Sequence, residues 1–122
     1  MTDKATPTNI VYCPTRDEWR AWLEANHTTE RDVWLTMYKK HTKQPCVSYS
    51  DSVEEALCFG WIDSAMKPLD ADRHIQRFSP RKPKSNWSES NKIRVRQLIA
   101  SGRMTEAGLA KITFPLDETD LT

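Results

Sequence analysis

The chain is short of glycine and cysteine and has no long apolar run, and each shortage removes a class of protein. Its three glycines, Gly60, Gly102 and Gly108, are dispersed. They cannot build the glycine-rich turn of a P-loop or a dinucleotide site, where bare backbone must approach a phosphate. The three cysteines, Cys13, Cys46 and Cys58, are odd in number and show no CxxC or Cys/His spacing. That excludes a disulfide framework and a zinc finger, and reduced thiols are expected. Cys58, between Leu57 and Phe59, reads as a buried, inert thiol. His27, His41 and His74 also lack ligand spacing, so neither a metal nor a cofactor is expected. No nucleophile elbow or HExxH helix is present. No apolar stretch is long enough for a membrane span, and mean hydropathy is −0.72. The opening MTDKATPTN lacks the apolar core of a secretory signal, which makes the cytoplasm the expected location.

What remains is a sequence of 122 residues, enough for one core that buries about two-thirds of the unfolded chain's surface. Residues 1–122 are therefore expected to form a single domain, with 1–13 and 114–122 as loose ends. Thr15 and Glu18 have capping-box spacing, which predicts a helix from Arg16 to about Ala25 with Trp19, Trp22 and Leu23 as its apolar stripe. Val33 to Tyr38, rich in β-branched and aromatic residues, predicts a strand with both faces partly buried. Ser50 or Ser52 is expected to cap a second helix that ends before Gly60. Residues 61–67 and 73–79 predict a β-hairpin, stopped by Pro80. Ser85 or Ser88 then caps a helix reaching about Ser101, and Thr105 caps a last one to about Ile112. The expected class is α+β, with a small, mainly antiparallel sheet of about three strands packed with three to four helices.

Charge is balanced overall, with 18 Lys and Arg against 17 Asp and Glu, but it is unevenly placed. Residues 73–104 hold nine cations and one acid, Glu89, a local charge of +8. Residues 1–72 carry −4 and residues 105–122 carry −3. A stretch this basic suggests an anionic partner, either a small anion or nucleic acid.

Two constellations stand out. In the first, Asp63 follows a helix stop among apolar residues and needs a cation, since buried carboxylates are nearly always paired. Strand alternation suggests Arg73 or Arg77, with Arg81 just beyond. The plainer reading is a salt bridge that fixes hairpin register; the sharper one is a ligand-binding or catalytic acid. In the second, the rigid connector Pro80 to Ser85 leads basic residues into a helix start, where free amides favour anions. Ser85, Ser88 and Asn91 would complete that pocket. On the helix, Lys92, Arg96 and Arg103 share a face. The plainer reading there is a solvated basic face that meets the acidic helix near residues 51–55.

The stretches VWLTMYKK, SYSDSVEEALCFGWIDS and RFSPRKPKSNWSESNKIRVRQLIASGRMTEAGLAKI carry a resemblance to the bacterial YdeI/OmpD-associated family, also called bacteriocin-protection proteins. It spans about residues 13–112, with Lys39, Lys40, Gly60, Trp61, Asp63, Pro80, Arg81, Ser85, Trp87, Ser88 and Asn91 at signature positions. The resemblance implies a small bacterial stress-protection protein with no assigned reaction. Longer members continue into a further helical segment, so the resemblance is to a form shortened at the C-terminus. The expected pocket consists of Trp61, Asp63, Arg81, Ser85, Trp87 and Asn91, with Asp63 orienting Arg81 on an anion. Nucleic-acid association, with Phe78 and Trp87 stacking on bases, is the alternative. A hydrolase-like enzyme using Asp63 as general base is the third.

Overall fold

The computed structural model describes residues 6–116. The order of elements is β1 (Ile10–Val11), α1 (Arg16–Asn26), β2 (Val33–Tyr38), a single 3-10 turn at Lys40–Thr42, α2 (Tyr49–Cys58), β3 (Trp61–Pro68), β4 (Arg73–Pro80), α3 (Glu89–Ala100) and α4 (Glu106–Leu109). The protein is α+β, built on one four-stranded sheet of order β1-β2-β4-β3. Three strands pair antiparallel and β1 pairs parallel to β2, so the sheet is mixed.

The fourth strand corrects the expectation of a loose lead-in. Ile10 and Val11 join the sheet edge opposite Trp34 and Leu35, and the ring of Tyr12 packs edge-on to Tyr38 at 5.2 Å. Two residues are too few for a period-2 pattern to show in sequence. The expected loose tail is corrected in the same way as far as the described residues reach, because the Phe114 ring packs against Trp87 at 5.0 Å. The remainder of both ends, residues 1–5 and 117–122, lies outside the described residues.

Local chemistry sets the helix ends. The Thr15 hydroxyl accepts from the Glu18 amide at 3.2 Å, and the Glu18 carboxylate returns to that hydroxyl rather than to the Thr15 amide. Ser48, not Ser50 or Ser52, caps α2, accepting from the Asp51 amide at 3.1 Å. Ser52 lies inside the helix, fully buried, and donates to the Tyr49 carbonyl. Ser88 caps α3 and Thr105 caps α4, which stops at Leu109, short of Ile112. Gly60 has φ +77, the left-handed turn that ends α2 and starts β3.

The helices pack on one face of the sheet. Trp19 and Leu23 of α1, Val53, Ala56 and Leu57 of α2, Val33 and Leu35 of β2, Phe78 of β4 and Trp61 of β3 are all sealed in one core. Burying each large apolar side chain contributes about 1.5 to 3 kcal/mol. The hairpin β3–β4 carries a bulge between Asp63 and Met66: Asp63 lies opposite Phe78, while Met66 lies opposite Gln76. The Gln76 side-chain amide donates to the Ala65 carbonyl left over by that bulge. The extra residue changes the alternation expected for β3, so Met66 shares the helix-side face with Asp63 and Lys67 turns to the other.

Candidate functional site

Arg81 is the residue that stands apart. Pro80 ends β4, and the Arg81 amide donates to the Gly60 carbonyl at 2.9 Å, so the chain is still tied to the sheet when it turns away. Its side chain is 4% exposed. The guanidinium lies 3.7 Å from the centre of the Trp87 ring, and Nη2 donates to the Asn86 carbonyl at 2.8 Å. No carboxylate pairs with it among the described residues, and its Nε is buried without a partner. The Trp87 Nε1 is also buried and unpartnered. Desolvation lowers the Arg81 pKa from its ordinary value. A buried cation with no acid is rare, because a desolvated charge costs several kcal/mol unless it is matched. The Lys111 ammonium, which donates to the Arg81 carbonyl at 3.2 Å, adds a second positive charge nearby.

The other expected pocket residues divide. Ser85 forms the turn before Trp87, its amide donating to the Lys82 carbonyl at 3.1 Å. Asn91 is engaged at the start of α3: its amide goes to the Ser88 hydroxyl and its side-chain oxygen accepts from Arg94 at 3.1 Å. Trp61 is 1% exposed and packs edge-on against Trp22, so it is a core residue rather than a pocket wall. Asp63 is not joined to Arg81. Register places Asp63 opposite Phe78, three residues or roughly 10 Å of strand before Arg81. Its carboxylate instead accepts from the Tyr49 hydroxyl at 2.7 Å. Neither Arg73 nor Arg77 shares its face. Arg77 alternates with Phe78 and pairs with Asp32 at 2.9 Å, and Arg73 closes the hairpin loop on Asp70.

Acids from elsewhere in the chain meet Arg73, Arg77 and Arg103 of the basic stretch, and Glu89 meets Lys92 within it. Lys92 pairs with Glu89 at 3.0 Å, and Lys92 and Arg96 both lie over the Phe114 ring, at 5.8 and 5.3 Å. Arg103 turns away from the α3 face and meets the acidic helix. There Glu55 of α2, fully buried, is gripped by Arg16, by Arg20 at 2.8 Å and by Arg103 at 2.8 Å. Arg16 also reaches Asp51 and Glu54, and Arg20 donates to the Arg103 carbonyl. Burial raises the Glu55 pKa, but hydrogen bonds from Arg20, Arg16 and Arg103 outweigh it and hold the carboxyl below its ordinary value. The expected meeting of the basic face with the acidic helix thus holds for Arg103, while the part of Arg16 and Arg20 was not foreseen. The one visible sign of that part was a Glu inside the apolar run VEEALC, with Arg16 and Arg20 one helical turn apart. Phe78, expected to stack on bases, is fully buried and unavailable.

A separate cleft of about 480 Å³ opens between β2, the turn before α2 and β4, lined by Met37, Cys46, Tyr49, Met66 and His74 among others. Cys13, Cys46 and Cys58 are all free, and burial pushes the Cys13 and Cys58 thiols up to about 11, so both stay protonated at neutral pH. No group of three or more His, Cys, Asp or Glu is placed to hold a metal among the described residues. No helix of the described residues is long and apolar enough to cross a membrane.

Fold and site together define a small mixed-sheet α+β domain with a buried arginine that no acid among the described residues neutralises. The chain belongs to the family described as Domain of unknown function (DUF8412), whose model matches residues 11–111. No curated protein matches the chain, and no solved structure does either.

Proposed function

We propose that this chain is a small cytoplasmic anion-binding protein whose site is centred on Arg81 and Trp87. The observation that carries the reading is two buried, adjacent donors, Arg81 Nε and Trp87 Nε1, without acceptors among the described residues, beside a guanidinium that no described carboxylate pairs with. A phosphate or carboxylate would supply both the acceptors and the missing charge, and a bidentate anion suits the guanidinium fork. Lys111 adds positive charge beside it. Asp63 is left out of this site, since it is bonded to Tyr49. The three free thiols favour a reducing compartment. The setting we propose, following the resemblance to bacteriocin-protection proteins, is stress protection in a bacterial cell.

Thermal unfolding tests the site, with phosphate, sulfate or acetate compared against chloride at equal ionic strength. Ligand at 100 times its Kd stabilises by about 2.7 kcal/mol, a Tm rise of several degrees for a domain this size. Trp87→Phe keeps an aromatic ring over the guanidinium and removes one donor, so it should fold normally and lose much of the rise. Arg81→Lys keeps the charge and removes the fork, with the same expectation. A native protein that ignores all three anions, or variants that respond as the native protein does, would overturn the proposal. Nucleic-acid association is less well supported, because Asp32, Asp70, Glu55 and Glu89 already occupy cations of the basic stretch and Phe78 is sealed.

A further inference from the structure

The cleft beside β2 shares none of its lining with the Arg81 site. Its walls combine three kinds of group. Met37, Met66 and Cys46 supply sulfur, with Cys46 Sγ 3.8 Å from Met37 Sδ. Tyr49 supplies a ring that is half exposed, and its hydroxyl is held by Asp63 at 2.7 Å, so the ring is a fixed platform at the mouth. His74 and Lys40 supply the polar groups.

Strand register explains the convergence. Met37 and His74 are direct cross-strand partners, which puts their β-carbons about 5 Å apart on one face. Met66 reaches that face because the bulge in β3 moves it opposite Gln76, two positions from His74. Met66 is 59% exposed, an uncommon position for a thioether on a cleft rim. Burial, and then the nearby Lys39 charge, lower the His74 pKa, and no hydrogen bond occupies its ring among the described residues. It therefore faces the cleft as a neutral imidazole with one donor and one acceptor open. Lys40 has no acidic partner among the described residues.

Volume decides the kind of ligand. Three sulfurs and an imidazole would suit a soft metal ion, but one ion would leave most of about 480 Å³ unfilled. The Cys46 sulfur is already engaged, accepting from the Tyr38 amide and donating to the Val47 carbonyl. A cleft in the range of roughly 300 to 1,000 Å³ with apolar walls and few polar groups is the form of a small organic-ligand site. Sulfur packs well on aromatic rings, and the polar groups are one cation and one neutral imidazole.

We propose that this cleft binds a small planar aromatic carboxylic acid. The ring lies among the Met37, Met66 and Cys46 sulfurs against Tyr49, its carboxylate meets Lys40, and a polar ring substituent meets His74. Methionine ε-methyl NMR tests this on the full chain with benzoate, indole-3-carboxylate and benzamide as probes. The acids should shift the Met37 and Met66 signals saturably and leave Met104, which packs against Gly108, unmoved. Benzamide, lacking the charge, should bind roughly tenfold more weakly. In Lys40→Ala the acid should lose that advantage while the ring-current shifts persist, which a folding defect would not produce. Trp87→Phe should leave the titration unchanged, which separates this site from the anion site. Absence of any shift at millimolar acid, equal affinity for acid and amide, or a response to silver ion alone would overturn the proposal, the last in favour of a soft-metal site.

Discussion

Glu55 shows what one buried charge costs and contributes. Three arginines from two other parts of the chain converge on it, so replacing it with Gln leaves three guanidiniums facing a neutral amide. We expect Glu55→Gln to destabilise the protein by about 3 to 5 kcal/mol, the range for breaking a buried pair, read as a lower urea midpoint with an unchanged m-value. Because its native pKa lies below the ordinary value, its contribution is complete above about pH 4.3 and is lost as pH falls through the lowered native value. His74 acts in a different window. Its native pKa is also lowered, so the unfolded chain takes up the proton first, and stability falls as pH drops below about 6.5. His74→Gln should flatten that part of a series of urea midpoints measured against pH, without altering the more acid limb set by Glu55. Sequence suggested only that the face bearing Arg103 meets the acidic helix; the full Glu55 cluster was hidden because its partners stand 35 to 48 residues away and no local pattern links them.

Elements were more legible than residues, since helix signals are local and the chemistry of a cap spans only four positions. Thr15 and Gly60 could be read directly because a hydroxyl or a missing β-carbon acts on its immediate neighbours. The start of α2 was misplaced because SYSDS offers three serines and only the fold shows which lies outside the helix. Ser48→Ala should cost about 1 kcal/mol in thermal or chemical unfolding, whereas exposed Ser50→Ala should cost almost nothing. The faces of β3 beyond Asp63 could not be read in the same way, since alternation cannot reveal a bulge, and one extra residue reverses which side chains meet the cleft. Gly60 is constrained twice. Its φ is +77, and an added β-carbon would lie 2.5 Å from Lys111 Cγ, which runs on to the Arg81 carbonyl.

Across the whole molecule, charge that is segregated in sequence is mixed in space. The +8 of residues 73–104 meets Asp32, Asp70 and Glu55 from the acidic first part and Glu89 from within its own stretch. Pairing of Arg73, Arg77, Lys92 and Arg103 with these acids interrupts the positive track that a phosphate backbone would follow. Single-stranded oligonucleotides should therefore bind only at low ionic strength, with a shallow dependence of affinity on salt, as fluorescence anisotropy would read. A steep slope, with several phosphate contacts' worth of counterion release, would restore the nucleic-acid reading. The candidate anion site was half legible for the same reason: Arg81 and Trp87 are six residues apart on one connector, while the exclusion of Trp61 and Asp63 depended on strand register.

The grip of Arg103 on Glu55 also has a temporal side. At the ribosome, Arg103 leaves 48 residues after Glu55, and translation at roughly 5 to 20 residues per second makes that a delay of about 2 to 10 seconds. During this interval Arg16 and Arg20 are already available, while the third cation and the α3 segment that packs beside it are still being made. The core itself includes Val95 and Leu98 of α3, so it cannot be completed before that segment has been made.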